Sequence, residues 1–196
     1  MAPLWGASDA DESKPKNLTI AEKKEVYATS TGWVREAGSA LTGNDNTNAD
    51  PELLVAISGL AVSLGAADIT EVEWITEEAD KSAGFTLSLR VRYNEAVTVT
   101  GSPTIAVTNG NQGTGSGRGP HSLVYASGSG TNELVFSLAI AAANAATNAD
   151  DILSVAAQSI AKPGGATMKD TGTSTDSAVA ISGAQGTACG TITVVA

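Results

Sequence analysis

FTLSLRVRYNEAVTVTGSPTIAV, residues 85–107, alternates apolar and polar side chains along almost its whole length. From Phe85 to Tyr93 the odd positions Phe85, Leu87, Leu89, Val91 and Tyr93 are large and apolar, while Thr86, Ser88, Arg90 and Arg92 are polar. Period-two patterning of this kind places one set of side chains on a buried face and the other on a wet one, the signature of an antiparallel strand. Working outward, the same pattern runs from Thr70 to Ile140, and HSLVYASGSGTNELVFSLAI continues it after a Gly-rich break. Gly, Asn and Pro punctuate the runs as turns. The expected strands are 70–75, 85–93, 96–99, 104–108, 121–126, 133–140, 152–155, 166–169, 178–182 and 191–195, the regular spacing of a β-sandwich.

Residues 1–68 read differently. Thr19-Ile20-Ala21-Glu22 has the spacing of a capping box, so a short helix is expected over 20–26. The β-prone run from Tyr27 to Gly32 then leads into Trp33-Val34. A polar loop, GNDNTNADPE, precedes Leu53–Ile57, expected as a short buried strand or helical turn, and residues 63–68 are expected to be a linker. The chain thus divides into a small α+β N-terminal module, 1–68, and a β-sandwich domain, 69–196, a mainly β protein. The Ala- and Asn-rich run AIAAANAATNADD is expected as a turn, because Asn and Asp compete with helical hydrogen bonding. The loop 109–120, NGNQGTGSGRGP, is expected to project as a long hairpin tip, and the closing strand TITVV to pair with this chain or a neighbour.

Composition excludes several function classes. The chain has 196 residues, a formal charge of −10 and only 4% aromatic residues. Residues 1–68 carry ten acidic and five basic groups, and the remainder eleven and six, with no segment reading as a basic cluster. Nucleic-acid binding, which needs Lys and Arg to displace counterions from phosphates, is therefore not expected. No apolar window approaches the roughly 20 residues that span a bilayer, and no membrane association is expected. MAPLWGASDADE has neither the charged nor the apolar region of a secretory signal. The single cysteine, Cys189, cannot form an intrachain disulfide and has no basic neighbour in sequence to activate it.

The residues that could carry chemistry are few. His121 is the one histidine and follows Pro120 at a strand start, which leaves little for acid–base or nucleophilic catalysis, and no enzyme is expected. Asn44, Asn46, Asn48 and Asp50 alternate oxygen-bearing side chains as calcium loops do. They lack the central Gly and the closing Glu of an EF-hand, and an Asn-rich turn with no metal is expected. The Gly-rich loop has no phosphate-binding pattern, and no cofactor is expected. Of the tryptophans, Trp74 is expected to pack in the sandwich with Val72, whereas Trp5 has little local core to join and reads as an interface anchor.

Residues 85–107, VYASGSGTNELVFSLAI and the late GGATMKD together resemble a bacterial Ig-like repeat found in large surface adhesins and phage virion proteins. The likeness covers most of 69–182 and implies an Ig-like antiparallel sandwich. It implies a fold and assigns no function, since such modules serve as spacers and binders alike. WGASDADESKPK, AEKKEVYATSTGWVREAGS and GNDNTNADPELLVAISGLA are similar to a module of structural proteins in marine tailed phages, especially those of cyanobacteria. That resemblance implies a capsid decoration protein in the virion, with the N-terminal module on the shell, the sandwich outward, and the major capsid protein and neighbouring copies as partners. Trp5, Leu18, Val26, Tyr27, Trp33 and Val34 are the expected capsid contacts. Asn111, Gln112, Arg118 and His121 are the expected outward recognition residues, where a fibre- or adhesin-type protein would hold a host surface glycan.

Overall fold

The computed structural model describes residues 14–15, 17–43, 45–110, 120–142, 144 and 146–196. A short helix α1 (Ile20–Lys24) leads into the hairpin of β1 (Val26–Thr29) and β2 (Gly32–Arg35), followed by β3 (Glu52–Ala56) and the single-turn helix α2 (Leu60–Ser63). Next come β4 (Ile69–Trp74), β5 (Ala79–Asp80), β6 (Phe85–Thr100), β7 (Thr104–Gly110), β8 (His121–Ser127) and β9 (Thr131–Ile140). The chain closes with β10 (Ile152–Ser154), β11 (Gln158–Ser159), β12 (Thr167–Asp170), β13 (Ala180–Ile181), α3 (Gly183–Cys189) and β14 (Thr191–Val195). The fold is mainly β and sandwich-like. Strands are connected in the order β3-β2-β1-β6-β9-β8-β7-β10-β14-β5, with β4 and β12 also paired to β6, and β11 and β13 form a separate pair.

The sixteen-residue β6 organises the molecule. The two strands expected at 85–93 and 96–99 run on as one, with a register break against β9 between Arg92 and Val97. Before the break β6 lies between β9 and β4, and after it β12 pairs with residues 97–100. The inward set is the expected one: Leu87, Leu89, Val91 and Tyr93 are fully buried against Phe136, Leu134, Ile105, Leu123 and Met168, while Phe85 packs at the margin. Val72 joins this core, and Trp74 packs partly buried beside it. The closing strand β14 pairs within the chain, antiparallel to β10 and parallel to β5.

The N-terminal part is joined to the sandwich through backbone as well as side chains. β1 pairs in parallel with β6 at Ala28 and Glu95, where β6 has left its earlier partners. A second, smaller core of Val26, Ala28, Trp33, Leu60 and Leu64 sits beneath the hairpin, with Leu18, Leu54, Val55 and Ile57 at its edge. The expected linker at 63–68 is therefore no flexible tether. Leu64 belongs to the small core, Ala67 to the large one, and the Asp68 N–H donates to Asn94 Oδ1 at 2.6 Å.

Local chemistry explains the element ends. The capping box at Thr19 forms, with Glu22 N–H donating to Thr19 Oγ1 at 3.2 Å and Thr19 N–H donating to Glu22 Oε2 at 2.8 Å. The helix stops at Lys24 because Val26 is taken into the hairpin opposite Arg35. Gly32 closes that hairpin at φ 140°, and a Cβ there would stand 1.9 Å from the Val55 carbonyl oxygen. Residues 52–56 form a strand, but at the sheet margin and not buried as expected, with Leu53 half exposed. A register break opposite Trp33 and Val34 leaves Leu54 as the extra residue. Helix α3 was not expected, since Gly183 and Gly186 are poor helix formers. It is held by a capping box between Ser182 and Gln185, and a Cβ at Gly186 would lie 2.2 Å from the Val155 carbonyl oxygen.

Candidate functional site

The most chemically loaded region lies where the N-terminal part meets β4, β6 and β9. Arg92 was expected on the wet face of its strand, yet only 7% of it is exposed. Its Nη1 donates to both Glu36 oxygens at 2.9 and 3.0 Å, and the same nitrogen lies 2.7 Å from Glu133 Oε1. Nε donates to Glu73 at 3.1 Å, and Nη1 also reaches the Lys24 carbonyl at 3.3 Å. Arg90, two residues back on the same face, pairs with Glu73 at 3.2 Å and Glu133 at 3.4 Å. Among the described residues, two guanidinium groups thus hold three carboxylates brought from the end of β2, from β4 and from β9.

This crowding perturbs the groups involved. Burial raises the Glu36 carboxyl to about 7; Arg92 opposes the rise and the adjoining Glu133 carboxylate adds to it. Burial works against the Arg92 charge, but Glu133, Glu36 and Glu73 outweigh it and hold its pKa above the ordinary value. Tyr27, half-buried over the same cluster, has its phenol pushed up by burial and then by Glu36 and Glu133. A carboxyl next to a carboxylate keeps a proton more readily than either would alone. The cluster therefore clamps the hairpin to the sandwich and stores a proton near neutral pH.

A cavity of about 250 Å³ opens beside the clamp, between α1, β4 and α3. Lys14, Lys23 and Lys24 line it together with Ile20, Glu71 and Gln185. Lys14 Nζ donates to the Lys23 carbonyl at 2.8 Å, Lys24 pairs with Glu71, and Gln185 Nε2 donates to the Ile69 carbonyl at 2.8 Å. Lys14 stands nine residues before the adjacent pair Lys23 and Lys24, and the fold brings the three to one cavity.

The expected contact residues divide unevenly. Val26, Trp33 and Val34 are 1%, 1% and 4% exposed and lie inside the chain's own packing, so they have no surface to offer a capsid. Leu18 packs half-buried at the edge of the small core, and Tyr27 lies over the carboxylate cluster. Trp5, Asn111, Gln112 and Arg118 lie outside the described residues. His121, expected to face outward, is 5% exposed at the start of β8. Its Nε2 lies 3.0 Å from Thr147 Oγ1 and 3.5 Å from Asn109 Nδ2, and burial lowers its pKa against the pull of Asp151. The imidazole ties the start of β8 to Asn109 and Thr147. In the Asn-rich loop, Asn46 Oδ1 accepts the Asn48 N–H at 3.1 Å, an Asx-turn use of that side chain. Among the described residues no group of three or more His, Cys, Asp or Glu converges as metal ligands. No helix among them is long and apolar enough to cross a membrane.

The clamp residues were missed because each partner comes from a different strand. One signal was present: Glu133 sits opposite Arg92 in the β6–β9 register, which a correct strand pairing would have shown. Comparison with protein-family models, with curated proteins and with solved structures finds no match for this chain.

Proposed function

We propose that this is a structural protein of a phage virion that attaches to the outer surface of the capsid through its N-terminal part and carries its sandwich outward. The observation that carries the reading is the distribution of exposed apolar side chains. Among the described residues, Ile20, Leu41, Leu53 and Val62 are at least half exposed, and all lie before residue 68. The far longer remainder contributes Ile75, Val124 and Val195, each less exposed than those four. Apolar surface concentrated on the smaller part of a protein favours that part as the one that meets a partner. The resemblance of that part to a phage structural module supports the same assignment, with the major capsid protein as partner and many modest contacts repeated over a lattice.

Co-sedimentation of the purified chain with capsids tests this. Leu53→Asp and Val62→Asp place charges on the N-terminal surface and should abolish co-sedimentation, while Val124→Asp on the sandwich should leave it intact. Retention of both N-terminal variants on the particle, or loss of the sandwich variant alone, overturns the assignment of roles.

A further inference from the structure

We propose that the cavity between α1, β4 and α3 receives an acidic side chain, flanked by an aliphatic one, from an extended segment of the partner protein. Charge is the first argument. Among the described residues, three lysines, Lys14, Lys23 and Lys24, line the cavity together with one acidic residue, Glu71, on a chain whose formal charge is −10. A concave site of the opposite sign to its surroundings focuses the field on an anionic visitor. The lysines are not equally engaged. Lys24 is paired with Glu71 and Lys14 is buried against the Lys23 carbonyl, whereas half-buried Lys23 has no carboxylate partner among the described residues. Lys23 is therefore the ammonium left to meet a ligand.

Size and lining set the class of ligand. At about 250 Å³ the cavity is just below the range of about 300 to 1,000 Å³ typical of small-molecule and cofactor sites. It has room for about eight water molecules at liquid density, the scale of one or two side chains. Its rim carries Ile20, 82% exposed, and its wall Val72 and Ala188. An isolated anion would leave that apolar surface uncovered, while a peptide with a carboxylate beside a leucine would cover it. The identity of the partner rests on the reading of the N-terminal part as the attaching face, but the cavity's preference does not.

Calorimetric titration of the full chain tests the proposal. The probes are an acetylated and amidated peptide LDEL, its uncharged counterpart LNQL, and inorganic phosphate. The wild-type chain should bind LDEL more tightly than LNQL, and the affinity should fall between about 20 mM and about 300 mM salt as the charges are screened. Lys23→Gln, which breaks no ion pair among the described residues, should weaken LDEL by at least about tenfold, as expected for one charge-assisted hydrogen bond. Lys169→Gln, at a half-buried lysine on β12 outside the cavity lining, should bind as wild type. A wild-type chain that does not bind LDEL, a Lys23→Gln chain that binds it equally well, or displacement of LDEL by equimolar phosphate overturns the proposal. Capsid co-sedimentation separates the two readings. If Lys23→Gln still attaches while LDEL binding is absent, the cavity proposal falls and the attachment reading stands. If LDEL binds as expected but neither Leu53→Asp nor Val62→Asp affects attachment, the reverse holds.

Discussion

The proton stored at Glu36 makes the union of hairpin and sandwich depend on pH, and Glu36→Gln isolates its share. The carboxyl titrates at about 7 in the folded chain against an ordinary 4.5. A raised folded pKa means the folded state binds the proton more tightly. Its stabilising contribution is thus complete below about pH 4.5 and is lost as pH rises through about 7. Taken at face value the shift is worth about 3.4 kcal/mol at about 1.36 kcal/mol per unit. The Glu36 side chain keeps 21% of its exposure, and solvent screening reduces the figure to about 2 kcal/mol. For a chain of this size that corresponds to a fall in Tm of about 4–8 °C between pH 5 and pH 8.5. Calorimetric melts of wild type and Glu36→Gln across this range give the comparison. The neutral amide mimics the protonated carboxyl, so the variant should lose most of the slope while His121 and the surface carboxylates titrate identically in both. Parallel slopes for the two proteins would refute the assignment of the proton to this cluster.

Two further outcomes follow from packing and burial. Gly186→Ala puts a Cβ about where the Val155 carbonyl oxygen lies, 2.2 Å away, and neither backbone can yield cheaply. Urea unfolding should show a loss of about 1–3 kcal/mol, in contrast to the small gain expected of Gly→Ala in an unobstructed helix. The Cys189 thiol is raised to about 11, first by burial and then by Glu73 and Glu71. Its reaction with a disulfide reagent at pH 8 should be far slower than that of a free thiol and should reach the free rate once the chain is unfolded.

How legible the molecule was depends on how local each feature is. The inward set Leu87, Leu89, Val91 and Tyr93 followed from alternation alone, and the capping box at Thr19 from four adjacent residues. The helix α3 was hidden because its two glycines oppose helix formation, although the Ser182–Gln185 capping box marks its start and close packing of Gly186 on the Val155 carbonyl fixes its place in the fold. Val26, Trp33 and Val34 read as contacts because an apolar cluster in a short module can face inward or outward, and the sequence pattern does not distinguish the two. His121 read as exposed because it borders a Gly-rich loop, whereas Asn109 and Thr147 close over it from separate segments.

By itself the sequence determined a mainly β chain, the long alternating strand at its centre and a distinct opening segment, because strand periodicity and helix caps are written in neighbouring residues. Tertiary structure alone decided how much of the strand's polar face would stay wet. The polar face of β6 is open at Thr86 and closed from Arg92 to Glu95, where the hairpin covers it. A buried guanidinium is stable only when carboxylates from several strands meet it, and that convergence is a property of the pairing of β2, β4, β6 and β9 in space.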